Sequence, residues 1–401
     1  MPSLRNWRKK RVTESNDKKV PALRFKGFTD DWEQRKPGDF LVESKIIGHK
    51  GDKAKKLTVK LWGKGVQEKQ DILSGSANTQ YYIRKSGQLM YGKLDFLHAA
   101  FGIVPSQLNN YESTIDSPSF DVKSANSIFL LNLFLRKKFY LYYGERANGS
   151  RKAKRIHEKD FLVMPIKMPE INEQNKISNL IEIVNNRITL QQRKLEQIKL
   201  LKKAMLQKIL AETDNPYPKL RFFGFSNTWK KYTVNSLFKI SRGYVLSTTL
   251  TEANKSAHNP YPVYSSQTKN NGLMGYYNKY LYENAITWTT DGANAGTVNY
   301  RSGKFYCTNV CGVILSDKVD ANQLIAEELN TVSKRYVSYV GNPKLMNNVM
   351  ANIKIIIPDQ YKERQQISQL FSRQDIFKDV YQRKQNVLKI LKQFLLQNMF
   401  I

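Results

Sequence analysis

The stretch Pro21-Ala22-Leu23-Arg24-Phe25-Lys26-Gly27-Phe28-Thr29-Asp30-Asp31-Trp32 returns as Pro218-Lys219-Leu220-Arg221-Phe222-Phe223-Gly224-Phe225-Ser226-Asn227-Thr228-Trp229, with seven of the twelve positions identical. Each copy opens one half of the chain, and the halves also close alike. Ile177-Ser178 with Gln192-Arg193-Lys194 in the first half is matched by Ile367-Ser368 with Gln382-Arg383-Lys384 in the second. The chain is therefore a duplication, and a duplicated protein points to a duplicated target.

Between each opening and its closing segment lies a mixed, turn-rich region, and each half ends in a long helical pattern. From Glu170 to about Leu210 there is neither Gly nor Pro. Apolar residues recur there at Ile177, Ile181, Val184, Ile188, Leu195, Ile198, Met205 and Ile209, in alternating steps of four and three, with Gln191 and Lys202 in the two remaining slots. This spacing predicts one helix with a coiled-coil seam. Pro216 and Pro218 stop it. A second helix is predicted from about Asp359 to Asn398, with a less regular stripe of Ile367, Leu370, Phe371, Phe377, Tyr381, Leu388, Leu391 and Leu395. Neither stripe can stay in water, so the two helices are expected to pack on each other. The resulting boundaries are a basic flexible leader at 1–20, a first domain at 21–168, a central helix at 169–213, a second domain at 214–358 and a C-terminal helix at 359–401. Within the first domain, Ser127 to Phe134 reads as a β-rich run and Asp160 to Met168 as a closing strand.

Composition narrows the partner. Lys and Arg outnumber Asp and Glu by 65 to 34, leaving a net charge of +31 over 401 residues, an excess that attracts polyanions. Aromatic and amide residues accompany the charge and supply groups able to meet sugars and base edges. Cys307 and Cys311 stand alone and read as buried thiols in an apolar strand, with no metal set around them. No apolar run is long enough to span a membrane, and the N-terminus lacks the apolar core of a signal peptide, so a cytoplasmic protein is expected.

Catalytic signatures are missing. There is no phosphate-binding G-x-x-x-x-G-K-[ST] loop. Asn215-Pro216-Tyr217 and Asn259-Pro260-Tyr261 approach an amino-methyltransferase signature, yet each lacks the second proline. Pro358-Asp359 followed by Glu363 lacks the strand spacing of a nuclease, and a helix cap at Asp359 explains it more simply. Catalysis is not expected on this chain.

The residues expected to meet DNA lie in loops. In the first half they are Lys53, Lys55, Lys56, Arg84 and Lys93, with the dense run Arg146, Asn148, Arg151, Lys152, Lys154 and Arg155 just before the closing segment. In the second half they are Arg242, Tyr244, Ser266, Gln267, Lys269, Asn270, Thr290 and Asn294, with Asn342, Lys344, Asn347 and Asn348 before the closing strand. The first set is rich in cations and the second in amides. Arg pairs well with guanine and Asn with adenine in the major groove, so two domains of one framework are able to read different sequences. Solvated loops are the competing explanation for any single one of these residues.

The repeated Pro-x-Leu-Arg-Phe-x-Gly-Phe-x-x-x-Trp opening, the Pro169 to Gln174 start of the first helix and the paired helices resemble the specificity subunit of type I restriction–modification systems. The likeness runs from about residue 21 to the C-terminus. Leu89-Met90-Tyr91-Gly92-Lys93-Leu94-Asp95 leading to Ala100-Phe101-Gly102-Ile103-Val104 is similar to one class of that family's target-recognition domains. The second helix departs from the pattern, with Arg364 in the Gln place and Pro358 five residues before Glu363.

The resemblance implies an α+β fold: two mixed α/β target-recognition domains in pseudo-twofold arrangement, separated by two long helices that form an antiparallel coiled coil. The helix contacts would come from Ile177, Ile181, Val184, Ile188, Leu195 and Ile198 on the first helix, and from Ile367, Phe371, Leu388, Leu391 and Leu395 on the second. It further implies a non-catalytic subunit that reads a bipartite asymmetric site in double-stranded DNA and directs two methyltransferase subunits and restriction/translocase subunits to it. S-adenosylmethionine would sit on the methyltransferase, ATP and Mg on the restriction partner, and no cofactor on this chain. A solitary methyltransferase is disfavoured by the absent motifs. An RNA-binding or structural coiled-coil scaffold is the alternative, but it does not explain unlike loops on like frameworks.

Overall fold

The computed structural model describes residues 19–70, 75–146, 154–212, 215–266 and 269–401; the basic leader, except its last two residues, lies outside them. The chain forms two compact units, one of residues 1–190 with 385–401 and the other of residues 191–384. Two long helices, Ile171–Ile209 and Tyr361–Asn398, each contribute one part to each unit.

In the first unit a four-stranded antiparallel sheet runs in the order Leu41–Ser44, Ser119–Val122, Leu89–Tyr91, Phe101–Ile103. Beside it lie a three-stranded sheet, Ile46–Lys50 with Gln80–Ile83 and Glu112–Ser113, and a hairpin of Leu57–Val59 and Val66–Glu68. The core is aromatic, with Phe161 4.7 Å from Tyr91 and 5.1 Å from Phe134 between ring centroids. Ile177, Ile181 and Val184 of the first long helix close this core together with Leu395, Met399 and Phe400. Two local expectations fail here. Ser127–Phe134 is an α-helix, because the Asn126 side chain accepts from the amides of Ile128 and Phe129 and starts it. A short apolar run buried on nearly every side carries no period to distinguish helix from strand. Likewise Glu158–Leu162 is helical, and only Ile166–Met168 forms the closing strand.

The second unit holds a six-stranded sheet in the order Phe238–Arg242, Cys311–Ser316, Tyr282–Thr289, Val298–Cys307, Tyr261–Tyr264, Leu273–Tyr277. Its neighbours pair antiparallel except Tyr261–Tyr264 against Val298–Cys307. Gly312 faces Trp288 across the ladder so closely that a Cβ there would meet the indole at 2.1 Å. Helix Gln323–Val332 buries Leu324, Ile325 and Leu329 in this unit, and the N-cap Asn322 accepts from the Ile325 amide.

The repeated openings have a common mechanical role. In the first unit Arg24 Nε and Nη2 each bond a Glu173 carboxylate oxygen at 2.8 Å, while the Leu23 amide bonds the Asn398 carbonyl at 2.8 Å. In the second, Arg221 holds Glu363 at 2.7 and 2.9 Å, and the Leu220 amide bonds the Lys208 carbonyl at 2.8 Å. Each opening therefore clamps the start of one long helix to the end of the other. The strand that follows each opening pairs with a closing strand, Glu33–Arg35 with Ile166–Met168 and Lys230–Thr233 with Lys354–Ile357. The Arg-for-Gln departure keeps its contact: Gln174 Nε2 bonds the Pro169 carbonyl at 2.9 Å, and Arg364 Nη1 bonds the Pro358 carbonyl at 2.8 Å. Asp359, expected as a cap, instead accepts from Lys230 and from the Tyr232 hydroxyl, both at 2.5 Å.

The helix stripes correct the second seam. Ile177, Ile181, Val184, Leu195, Ile367, Phe371 and Leu395 are buried, and Ile188, Ile198 and Leu388 are partly so. Leu391 and Phe377 are exposed. The four-and-three steps that continue from Ile367 and Phe371 fall on Gln374, Lys378, Tyr381, Gln385, Leu388, Lys392 and Leu395, so polar residues take slots that hydrophobicity alone assigns to their neighbours. Lys202 is one such residue on the first helix. Its ammonium bonds Glu327 at 2.6 Å and Asp375 at 2.7 Å, and Gln323 bonds both carboxylates.

Glu328 is buried in the second unit with one oxygen accepting the Ile356 amide at 3.1 Å. Burial pushes its carboxyl up from 4.5 to about 7. The folded state therefore holds this proton more tightly than the unfolded chain does, and the associated stability is complete below about pH 4.5 and is lost as pH rises through 7. Glu328→Gln is expected to exceed the parent by about 3 kcal/mol at pH 8.5 relative to the difference between the two at pH 4. Urea midpoints of the two proteins that stay parallel across this range would contradict the assignment.

Candidate nucleic-acid interface

In the second unit the expected loops are tied to one another. The amides of Gly243 and Tyr244 bond the carbonyls of Cys311 and Cys307, both at 3.1 Å, and Arg242 Nε bonds the Asn309 carbonyl at 2.7 Å. A Cβ on Gly243 would meet the Thr308 carbonyl at 2.2 Å, so the approach requires glycine. Thr308 reaches the Tyr264 carbonyl at 2.9 Å, Ser265 reaches Gly272 at 2.9 Å, and Thr290 reaches Val310 at 3.2 Å. Leu345 bonds Thr290 at 2.8 Å and Gly292 bonds Pro343 at 2.9 Å. Segments 241–244, 264–266 with 269–272, 289–297, 307–311 and 338–345 are thus joined by main-chain bonds into one connected surface.

On that surface Arg242, Tyr244, Asn270, Asn294, Asn342, Lys344 and Asn348 are exposed, and Ser266 and Asn347 are half-buried. Asn270 sits at φ 53°, a left-handed conformation that Asn tolerates. Thr290 is a correction: it is buried, and its hydroxyl donates to the Val310 carbonyl at 2.8 Å, so it fastens the loop and does not face a ligand. Gln267 lies outside the described residues, and so does the Lys269 side chain. Arg301, which nothing in its sequence surroundings marks out, is buried over the Tyr264 ring at 3.7 Å and holds the Asn271 carbonyl at 2.6 Å. Cys307 and Cys311 are buried thiols, and burial pushes Cys311 up to about 11.

The first unit separates its candidates. Lys53 and Lys55 are exposed just before the hairpin. Lys56 points inward and lies 5.9 Å from the Tyr81 ring centroid. Arg84 is only 2% exposed. Its guanidinium donates to Ser113 Oγ at 2.7 Å, Ser119 Oγ at 2.9 Å and the Ser44 carbonyl at 2.9 Å, joining two sheets, and burial lowers it to about 10. Lys93 is buried against Glu158 at 2.7 Å. Lys56, Arg84 and Lys93 are therefore corrected from DNA candidates to parts of the core, because charge alone does not reveal which cations find internal acceptors. Arg146 is exposed and stacks on Tyr142 at 3.5 Å, Lys154 bonds the Glu145 carbonyl at 2.5 Å, and Arg155 lies 3.7 Å from Asp116. Asn148, Arg151 and Lys152 lie outside the described residues.

No cluster of His, Cys, Asp or Glu fit to hold a metal occurs among the described residues. Among them, too, no helix is long and apolar enough to cross a membrane.

Residues 226–389 match the family model of the type I restriction modification DNA specificity domain. The Mycoplasma pneumoniae protein named type I specificity subunit S.MpnORF289P N-terminus is 38% identical over 132 residues, which are 31% of this chain and 67% of that protein. The chain belongs to the type I specificity subunits. The type I restriction enzyme MpnII specificity subunit of the same organism is 30% identical over 141 residues, 34% of this chain and 42% of that one. The chain thus spans two thirds of the first relative's length and less than half of the second's. In fold it is similar to the crystal structure of a type I restriction–modification S subunit from M. genitalium, with a TM-score of 0.71 over 95% of this chain and 99% of that one at 12% identity.

Proposed function

We propose that this specificity subunit is the non-catalytic DNA reader of a modification and restriction complex, and that each unit reads one half of a split, asymmetric duplex site. The observation that carries this reading is the contrast between like clamps and unlike loops. Arg24–Glu173 and Arg221–Glu363 repeat the same bidentate bond, whereas the second unit joins amide-rich loops into one surface and the first presents separate lysine- and arginine-bearing segments. Two methyltransferase subunits carrying S-adenosylmethionine would act at the site so chosen, with ATP- and Mg-dependent restriction/translocase subunits joining them in the cytoplasm. The net charge of +31 supports a duplex as the polyanion. Single-molecule methylome sequencing of strains carrying and lacking the gene tests the reading. A two-part adenine-methylated motif present only with the gene is expected, and identical methylomes in a strain that makes the methyltransferase would overturn it.

A further inference from the structure

We infer that Trp62, at the tip of the hairpin Leu57–Val59/Val66–Glu68, is an apolar contact to DNA, seated between base-pair or sugar edges with Lys60 and Lys64 on the flanking phosphates. The inference rests on the DNA-reading role proposed above. Trp62 is 59% exposed, while Trp32, Trp229 and Trp288 are 2%, 2% and 1% exposed. It also holds φ 61°, a left-handed conformation that bulky side chains rarely adopt and that persists where the surroundings impose it.

The surroundings do impose it. The Trp62 amide bonds the His98 carbonyl at 2.7 Å, the next amide, Gly63, bonds the Ala99 carbonyl at 2.9 Å, and the Lys60 amide closes the tip on Gly65 at 2.8 Å. The His98 ring meets the indole edge-to-face at 5.4 Å. Gly63 lies so close to Leu135 that a Cβ would stand 2.9 Å from that side chain. The tip is thus fastened to the body of the unit and cannot fold its ring inward, so a large apolar surface is held in water at a fixed place.

The neighbouring charge selects the occupant. Lys60 and Lys64 are exposed on either side of the ring, with Lys53 and Lys55 exposed at the base of the hairpin, and no acid occurs from Lys53 to Gln67. A rigid aromatic flanked by cations fits a ligand that alternates phosphates with flat apolar faces, as a nucleic acid does. An acidic protein partner would satisfy the lysines without requiring an indole at the tip.

The test uses the full chain co-purified with its methyltransferase subunits, in a Trp7→Phe background, and acrylamide as a neutral quencher. Trp62 fluorescence is expected to become protected when the site duplex is added, and Trp62→Phe to remove the quenchable fraction. Trp62→Ala is expected to weaken duplex binding at least about tenfold with its salt dependence unchanged, whereas Lys60→Ala with Lys64→Ala flattens that dependence by about one to two in slope. Retained melting temperature and methyltransferase assembly in Trp62→Ala exclude misfolding as the cause. Duplex binding by Trp62→Ala at parental affinity, without protection of the indole in the parent, would overturn the inference and leave the DNA-reading role intact. Protection by the methyltransferase before any DNA is added would overturn it in favour of a subunit contact. Failure of the parent complex to prefer any duplex would instead sink the reading on which it rests.

Discussion

Glu363→Gln is expected to destabilise the second unit by about 3–5 kcal/mol, the range for removing one partner of a buried ion pair. The Glu363 carboxylate is fully buried, takes both forks of Arg221 at 2.7 and 2.9 Å and also lies 3.3 Å from Trp229 Nε1. With the charge gone, a largely buried guanidinium remains without its counter-ion, and the strand after the opening loses its anchor to the second long helix. Glu173→Gln is expected to do the same to the first unit through Arg24. Exchanging both partners for apolar residues, Arg221→Met with Glu363→Leu, should restore more than half of the loss, since the desolvation cost of the pair disappears with it. Urea denaturation followed by tryptophan fluorescence measures this. An unchanged midpoint for Glu363→Gln would mean that the clamp is ornamental and that the repeat is kept for another reason.

The long helices were legible because about forty residues without Gly or Pro and with a steady four-and-three step leave few alternatives. The regularity of the first helix was the better guide to the second. Lys202 in a slot of the first seam has its counterpart in Lys392, half-buried, whereas counting apolar residues selected Leu391 beside it. The opening motif was legible as framework but not as a clamp, since the partner of Arg24 lies 149 residues away and that of Arg221 142 away. Candidate DNA residues were legible only as charges. Arg84, Lys93 and Lys56 look like Lys53 and Lys55 in sequence, and what separates them is whether the fold supplies buried serines, a carboxylate or a tyrosine face. Trp62 is not legible in the sequence, because nothing in Lys60-Leu61-Trp62-Gly63 announces a residue held outward by bonds to the segment around His98.

Exchange of residues 217–357 for the corresponding segment of another family member is expected to replace one half of the recognised site and leave the other half as it was. The loops that form the connected surface of the second unit all lie inside the segment, while the first unit and Glu363 lie outside it. A donor that supplies the Leu-Arg pair of the opening can rebuild the clamp on the Lys208 carbonyl and Glu363. It must also offer an acid where Glu327 meets Lys202, or it leaves a half-buried ammonium with Asp375 as its one carboxylate of the two. The most direct measurement is single-molecule methylome sequencing of a strain that expresses the exchanged chain beside its methyltransferase. One altered half-site next to one retained half-site is the expected result, and alteration of both halves would contradict the claim that one chain carries two independent readers.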